Sequence, residues 1–301
     1  MPAASPPSTA APAALAPLSP HLYAPTGQRP LRAKRRRLSA AQRVVPHRHD
    51  WAQLAFSADG LTRLTAEDGT YLVPPSRALW IPPGVEHAVT VLEQATIVTL
   101  YLHQGDGRCG PWLPGERAAP AEADDGAWRR CRVLEVSDLL RAAALQLDER
   151  PDDAFGPDAA ARQREALLAA VVCDELRRAP PVRLGMPLPR DKRLRALCEA
   201  VIAEPARHAT LDGWARGVGA SPRTVARLFR DELATSFGRW REQVLLAQAL
   251  AWSARGRPVA WIAGELGYAS PSAFSAMVRR TAGQPPTRLF AAPAGAAAAA
   301  R

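Results

Sequence analysis

The chain writes one short pattern twice. ASPRTVARLFRDEL begins at Ala220, and ASPSAFSAMVRR begins at Ala269, forty-nine residues later. In each copy a serine (Ser221, Ser270) stands where a hydroxyl can cap an open helix start. A proline (Pro222, Pro271) follows at the first helical position, where a missing N–H costs nothing. Val225, Leu228 and Phe229 then make an i, i+3, i+4 apolar face, and Phe274, Met277 and Val278 repeat it. Ahead of each copy lies a second apolar pattern: Leu211, Trp214, Ala215 and Val218, then Val259, Ile262, Ala263 and Leu266. Each ends in a glycine turn, at Gly219 and Gly267. Helix, glycine turn, capped helix, written twice, predicts two helix-turn-helix units.

The faces left outward differ. In the first copy Arg223, Arg227 and Arg230 stand at i, i+4 and i+7, with Thr224 beside them. Such a row of guanidiniums can enter a major groove, bond guanine edges in pairs and hold phosphates. The second copy offers Ser272, Ala273, Ala276 and Arg279. Small residues touch thymine methyls or let the backbone approach, so the first unit is expected to carry more of the discrimination. Between the units, Phe237 to Arg255 is a continuous helix candidate of roughly 28 Å. That is near the ~34 Å between successive major-groove faces, so one chain could read two of them on one side of a duplex. Charge placement agrees. Arginine is abundant throughout, with only two lysines, but residues 186–290 hold sixteen Arg and Lys against eight Asp and Glu. Double-stranded DNA is the expected partner.

The remainder reads as an α+β multidomain chain. Residues 1–37 are expected to be a disordered, basic N-terminal arm ending in RPLRAKRRR, residues 38–134 a β-rich domain, a small sandwich or barrel, and residues 135–180 a helical dimerisation or linker region. PPVRLGMPLP (180–189) reads as a linker, 186–290 as the all-α helix-turn-helix domain, and 291–301 as a low-complexity tail. Ser137 is the expected cap of the first helix of the middle region, and Leu167, Leu168, Val171, Val172 and Leu176 form an apolar stripe on the second. That stripe suits a homodimer surface or packing on the sheet. No apolar run nears the ~20 residues of a membrane span, and the proline-rich start does not read as a signal peptide. Four scattered cysteines, Cys109, Cys131, Cys173 and Cys198, point to free thiols and a cytoplasmic protein.

LDGWARGVGASPRTVARLFRDEL and VAWIAGELGYASPSAFSAMVRRTAGQPPTRL together resemble the DNA-binding domain of the AraC/XylS family of bacterial transcription regulators, over about Arg193 to Phe290. The resemblance implies a dimeric regulator whose β-rich domain senses a ligand. It places Arg223, Thr224, Arg227, Ser272, Ala273 and Ala276 facing DNA, Arg230, Ser270 and Arg279 near phosphates, and Ser221 at the same interface. In the β-rich part, PHRHDWAQLAFSADG and IPPGVEH are similar to the cupin pattern, and that resemblance implies a cupin-like β-barrel. By that resemblance His47, His49 and His87, with Gln53 where the usual ligand is glutamate, are candidate ligands for a divalent transition metal: Zn, Ni, Co or Fe(II). The same histidines could instead line an effector pocket or satisfy core hydrogen bonds. Trp51 and Trp80 are expected in pocket walls or core.

Three functions follow. The first is a non-enzymatic transcription regulator sensing a small effector or a metal. The second is a cupin metalloenzyme of oxygenase type fused to a DNA-binding domain, which would want a carboxylate ligand that only Asp50, at the wrong strand parity, could offer. The third is an architectural DNA-binding protein.

Overall fold

A computed structural model of the chain describes residues 14–17, 22–39, 42–66, 69–92, 94–104, 109–111, 126–151, 159–182, 185–186 and 189–290. The tails expected to be disordered, 1–13 and 291–301, lie outside the described residues.

Among the described residues, strands β1 Ala14–Leu15, β2 Leu31–Leu38, β3 Arg43–His47, β4 Ala52–Ser57, β5 Thr62–Ala66, β6 Gly69–Val73, β7 Arg77–Ile81, β8 His87–Val91, β9 Ala95–Leu102 and β10 Arg132–Glu135 come first, and β11 Pro181–Val182 and β12 Gly185–Met186 follow after two helices. They form two sheets, ordered β1-β3-β8-β5-β6-β12 and β11-β10-β7-β4-β9-β2. Alternation along the strands builds the interior. Leu64, Tyr71, Val73 and Val89 of the first sheet meet Ala55, Leu79, Ile81 and Val133 of the second. The expected barrel is therefore two facing sheets with open edges.

Helices α1 Asp138–Leu145 and α2 Ala159–Arg178 cover the outer face of the second sheet. Leu140, Ala143, Val172 and Leu176 pack there on Leu54, Phe56, Trp80 and Leu100. Ser137 caps α1 by accepting a bond from the Leu140 amide.

Two expectations need correction. The basic run is not a free arm. Leu31–Leu38 pairs with β9 over its full length. Leu31, Ala33 and Leu38 are buried, and three of the bases between them have partners. Arg32, 0% exposed, donates to the Arg150 carbonyl at 2.9 Å. Arg35 bonds Glu149, and the Lys34 ammonium sits 3.9 Å from the Tyr23 ring centroid. The ladder bonds and these partners together outweigh the tendency of clustered charge to stay in water. Nor is 180–189 only a linker: β11 pairs with β10, and β12 pairs with β6.

The rest is helical: α3 Lys192–Ala203, α4 Leu211–Arg216, α5 Pro222–Leu233, α6 Phe237–Ala254, α7 Val259–Glu265, α8 Pro271–Ala282 and α9 Pro286–Leu289. α6 runs through the middle, with Val244, Leu245, Ala247, Ala249 and Leu250 buried. This helical body packs directly on the sheets. Leu61 and Leu72 join the core built by α3 to α6, and the interior between the sheets is continuous with the core of α6, α7 and α8. Arg255 adds a bond from its guanidinium to the Asp59 carbonyl at 3.1 Å. All four cysteines are free thiols. Among the described residues no helix is long and apolar enough to cross a membrane.

Candidate DNA-reading helices and the histidine pocket

The two echoed segments become α5 and α8, each twelve residues long. Ser221 accepts a bond from the Thr224 amide, and Ser270 from the Ala273 amide. The hydroxyls are thus engaged as caps, and Thr224 Oγ1 lies 2.9 Å from Ser221 Oγ. Before each, a glycine with positive φ turns the chain, Gly219 at 64° and Gly267 at 80°. Val225 and Phe229 are buried under α5, and Phe274, Met277 and Val278 under α8.

What remains outward is the candidate interface. Arg223, Arg227 and Arg230 are exposed on α5, and Ser272, Ala273, Ala276 and Arg279 on α8, with Ser270 and Thr224 half-buried. Arg227 makes a loose surface pair with Asp231, Nη1 to Oδ2 at 3.4 Å. α6, the connecting helix, has eighteen residues, about 27 Å of rise.

The sensor candidates also meet. His47 ends β3 opposite His87, the first residue of β8. His49 is not on that strand, as a His-x-His strand reading would have it. β3 stops at His47, and His49 sits in the connection to β4, where Gln53 lies. A register shift between Val44 and His47 turns His47 inward. The Pro82-Pro83-Gly84 turn holds this connection in place. Gly84, with φ at 77°, donates its amide to the His49 carbonyl at 2.8 Å. One ring nitrogen from each of His47, His49 and His87 lies within 4.8 Å of the others.

Proton placement follows from the neighbours. Nδ1 of each ring faces a backbone carbonyl: His47 to Val45 at 2.9 Å, His49 to Trp51 at 2.8 Å, His87 to Val85 at 2.9 Å. A carbonyl only accepts, so the proton of the neutral ring sits on Nδ1 and Nε2 keeps its lone pair. Burial lowers the pKa of His49 and pushes that of His87 down to about 3, so both are neutral near pH 7. Gln53 Oε1 then stands 2.9 Å from His49 Nε2 and 3.2 Å from His87 Nε2, acceptor against acceptors. A cation among them resolves this clash. So does a turned amide whose NH2 donates to both rings. The donor set fits a divalent transition metal held by three imidazoles and an amide oxygen. Ligands about 2.1 Å from one ion are at most about 4.2 Å apart, so the rings would close by several tenths of an ångström on binding. Asp50 is exposed and no carboxylate belongs to this group among the described residues.

The sequence reading missed part of the lining. Lys34, Arg36, Thr99 and Tyr101 share a cavity of about 40 Å³ with His47 and Gln53. The signal was present: in LRAKRRRL the even positions fall on one strand face. Trp51 stacks on His49, with centroids 4.9 Å apart. Trp80 faces the helical layer instead, donating to the Trp128 carbonyl.

Known proteins share both halves. Residues 35–160 match the AraC-like ligand binding domain family, and residues 214–292 match a helix-turn-helix domain family. The chain is 31% identical over 245 residues to the HTH-type transcriptional regulator NimR of Escherichia coli (strain K12), covering 81% of each chain. It is 29% identical over 101 residues to the HTH-type transcriptional regulator RipA of Corynebacterium glutamicum, covering 34% of this chain and 30% of that protein. A solved structure of ToxT from Vibrio cholerae with a bound unsaturated fatty acid aligns over 88% of this chain and 96% of its own, with a TM-score of 0.35 and 10% identity.

Proposed function

The chain belongs to the AraC family, as a transcription regulator with an AraC-like ligand-binding domain and a helix-turn-helix DNA-binding domain, and from that footing we propose which of its residues read the operator and which receive the signal. α5 and α8 enter successive major grooves on one side of the duplex, with α6 setting their separation. Arg223, Arg227 and Arg230 supply most of the base discrimination. α8 approaches closely through Ser272, Ala273 and Ala276, and Arg279 neutralises phosphate. The observation that carries this reading is the pair of identically capped helices, each with its buried face inward and its variable face exposed.

The test is binding of operator and of random duplex by Arg227→Ala. The expected loss is about 1–3 kcal/mol on operator and little on random DNA. Equal losses on both would remove Arg227 from base reading. Affinity should also fall steeply with salt, because several phosphates are neutralised at once.

On the sensor side, His47, His49, His87 and Gln53 would hold a divalent metal, which would supply a Lewis-acidic centre for an effector inside the sheets. Lys34 and Arg36 make the same cavity basic. The protein acts as a homodimer through α1 and α2. In support, Leu139 and Leu167 are 55% and 64% exposed there, two of the few large apolar side chains left in water among the described residues.

A further inference from the structure

Behind the first sheet, on the face opposite the histidines, is a second cavity of about 270 Å³. Alternation puts it there: Val89 and Leu64 turn into the sandwich, while Thr90, Arg63 and Thr65 turn out toward the helices. The opposite wall is Arg195 and Glu199 of α3 with Trp240 of α6, so the cavity lies where the sensor sheet meets the DNA-binding body.

Its chemistry is lopsided. Arg43, Arg63 and Arg195 face a single acid, Glu199. Arg195 spends Nε and Nη2 on the Pro189 carbonyl, at 3.0 and 2.9 Å. Nε of Arg63 is buried with no hydrogen-bond partner, and so is the indole Nε1 of Trp240, which is 2% exposed. Two buried unpaired donors in one cavity are costly unless something fills it. Burial itself lowers the pKa of Arg63, and the neighbouring Arg43 lowers it further against the pull of Glu199. Three cations against one anion leave an excess of two positive charges. The volume is just below the ~300 Å³ at which ligand pockets usually start, so the occupant is small.

We propose that this cavity is a second effector site, distinct from the histidine pocket, which binds a small organic dianion (a phosphate monoester or a dicarboxylate) between the sensor sheet and α3. The two oxyanion charges pair with Arg43, Arg63 and Arg195, and Trp240 supplies a further donor. Because the walls belong to both halves of the protein, the dianion clamps the DNA-binding body onto the sensor. Any ligand that favours this docked arrangement changes operator affinity by the same factor by which operator changes affinity for the ligand.

The experiment is calorimetric titration of the full chain with inorganic phosphate, with succinate and with acetate at matched ionic strength. Arg63→Gln and Arg195→Gln are the variants, each first checked for an unchanged melting temperature without ligand. The expected result is saturable one-to-one binding of phosphate or succinate, at least tenfold weaker in both variants, with acetate at least tenfold weaker than the better dianion. Which of the two binds more tightly separates the phosphate from the dicarboxylate source. Arg63→Gln should not lower the ligand-free melting temperature, since it removes a buried Nε donor that has no hydrogen-bond partner. The proposal is overturned if neither dianion saturates, if binding survives either substitution, or if acetate binds equally well. It is also overturned if Arg63→Gln unfolds the protein, because Arg63 would then be a structural latch to Glu199.

Discussion

Ala234 ends α5 in the left-handed region, with φ at 48°, and donates its amide to the Phe229 carbonyl. Forty-nine residues later Gly283 ends α8 at φ 72°. The repeat therefore extends to the helix stops, but the first copy uses an alanine where the conformation suits glycine. The left-handed conformation costs an L-residue roughly 1–2 kcal/mol, against roughly 0.5–1 kcal/mol of backbone entropy for glycine. Ala234→Gly should then stabilise the protein by about 0.5–1 kcal/mol in urea denaturation, and a loss of stability would contradict this account of the cap. The histidines pose the other residue-scale question. Elemental analysis of untagged protein should find about one divalent metal per chain, absent from His49→Ala. Wild type that holds none, and takes none up on titration, would assign Gln53 the donating orientation and leave the three rings as pocket walls. No spacing rule could choose between these, because the choice depends on which atom of one amide faces two lone pairs.

At the scale of elements, periodicity was legible and pairing was not. α4 with α5 and α7 with α8 follow from serine, proline, glycine and an i, i+3, i+4 apolar face, all local signals. β2 does not. Its arginines speak for solvent, and only β9 alongside, with Glu149 and the Arg150 carbonyl beyond, makes a strand of it. The apolar stripe on α2 divides in a way that composition could not foresee. Val172 and Leu176 bury against the second sheet, while Leu167 faces out. Leu167→Glu should therefore leave the fold intact and, in sedimentation velocity, convert a dimer to a monomer. Wild type sedimenting as a monomer at micromolar concentration would dismiss this face as the dimer surface.

For the whole molecule, the decisive feature is that two of its buried cores are shared by both halves. Leu61 and Leu72 of the sensor sit in the core of α3 to α6, and the sandwich interior runs on into α6, α7 and α8. Calorimetry should show one cooperative transition for the full chain, and Leu72→Asp, which places a charge in the shared core, should split it in two. Two transitions in the wild type would mean that the halves are coupled only weakly. The same continuity gives a signal in the histidine pocket a packed path to α8, and the arginine-lined cavity a place to act on α3. By itself the sequence determined the paired helix-turn-helix units, the exposed arginine row and the order of the β-rich and helical parts, because caps, turns and apolar periods act over a few residues. Only the tertiary structure decided the strand made from the basic run, the convergence of His49 on His47 and His87 from outside their strands, and the cavity walled by both halves. Those features join residues far apart in the chain, and their energies appear only once the sheets and helices have packed.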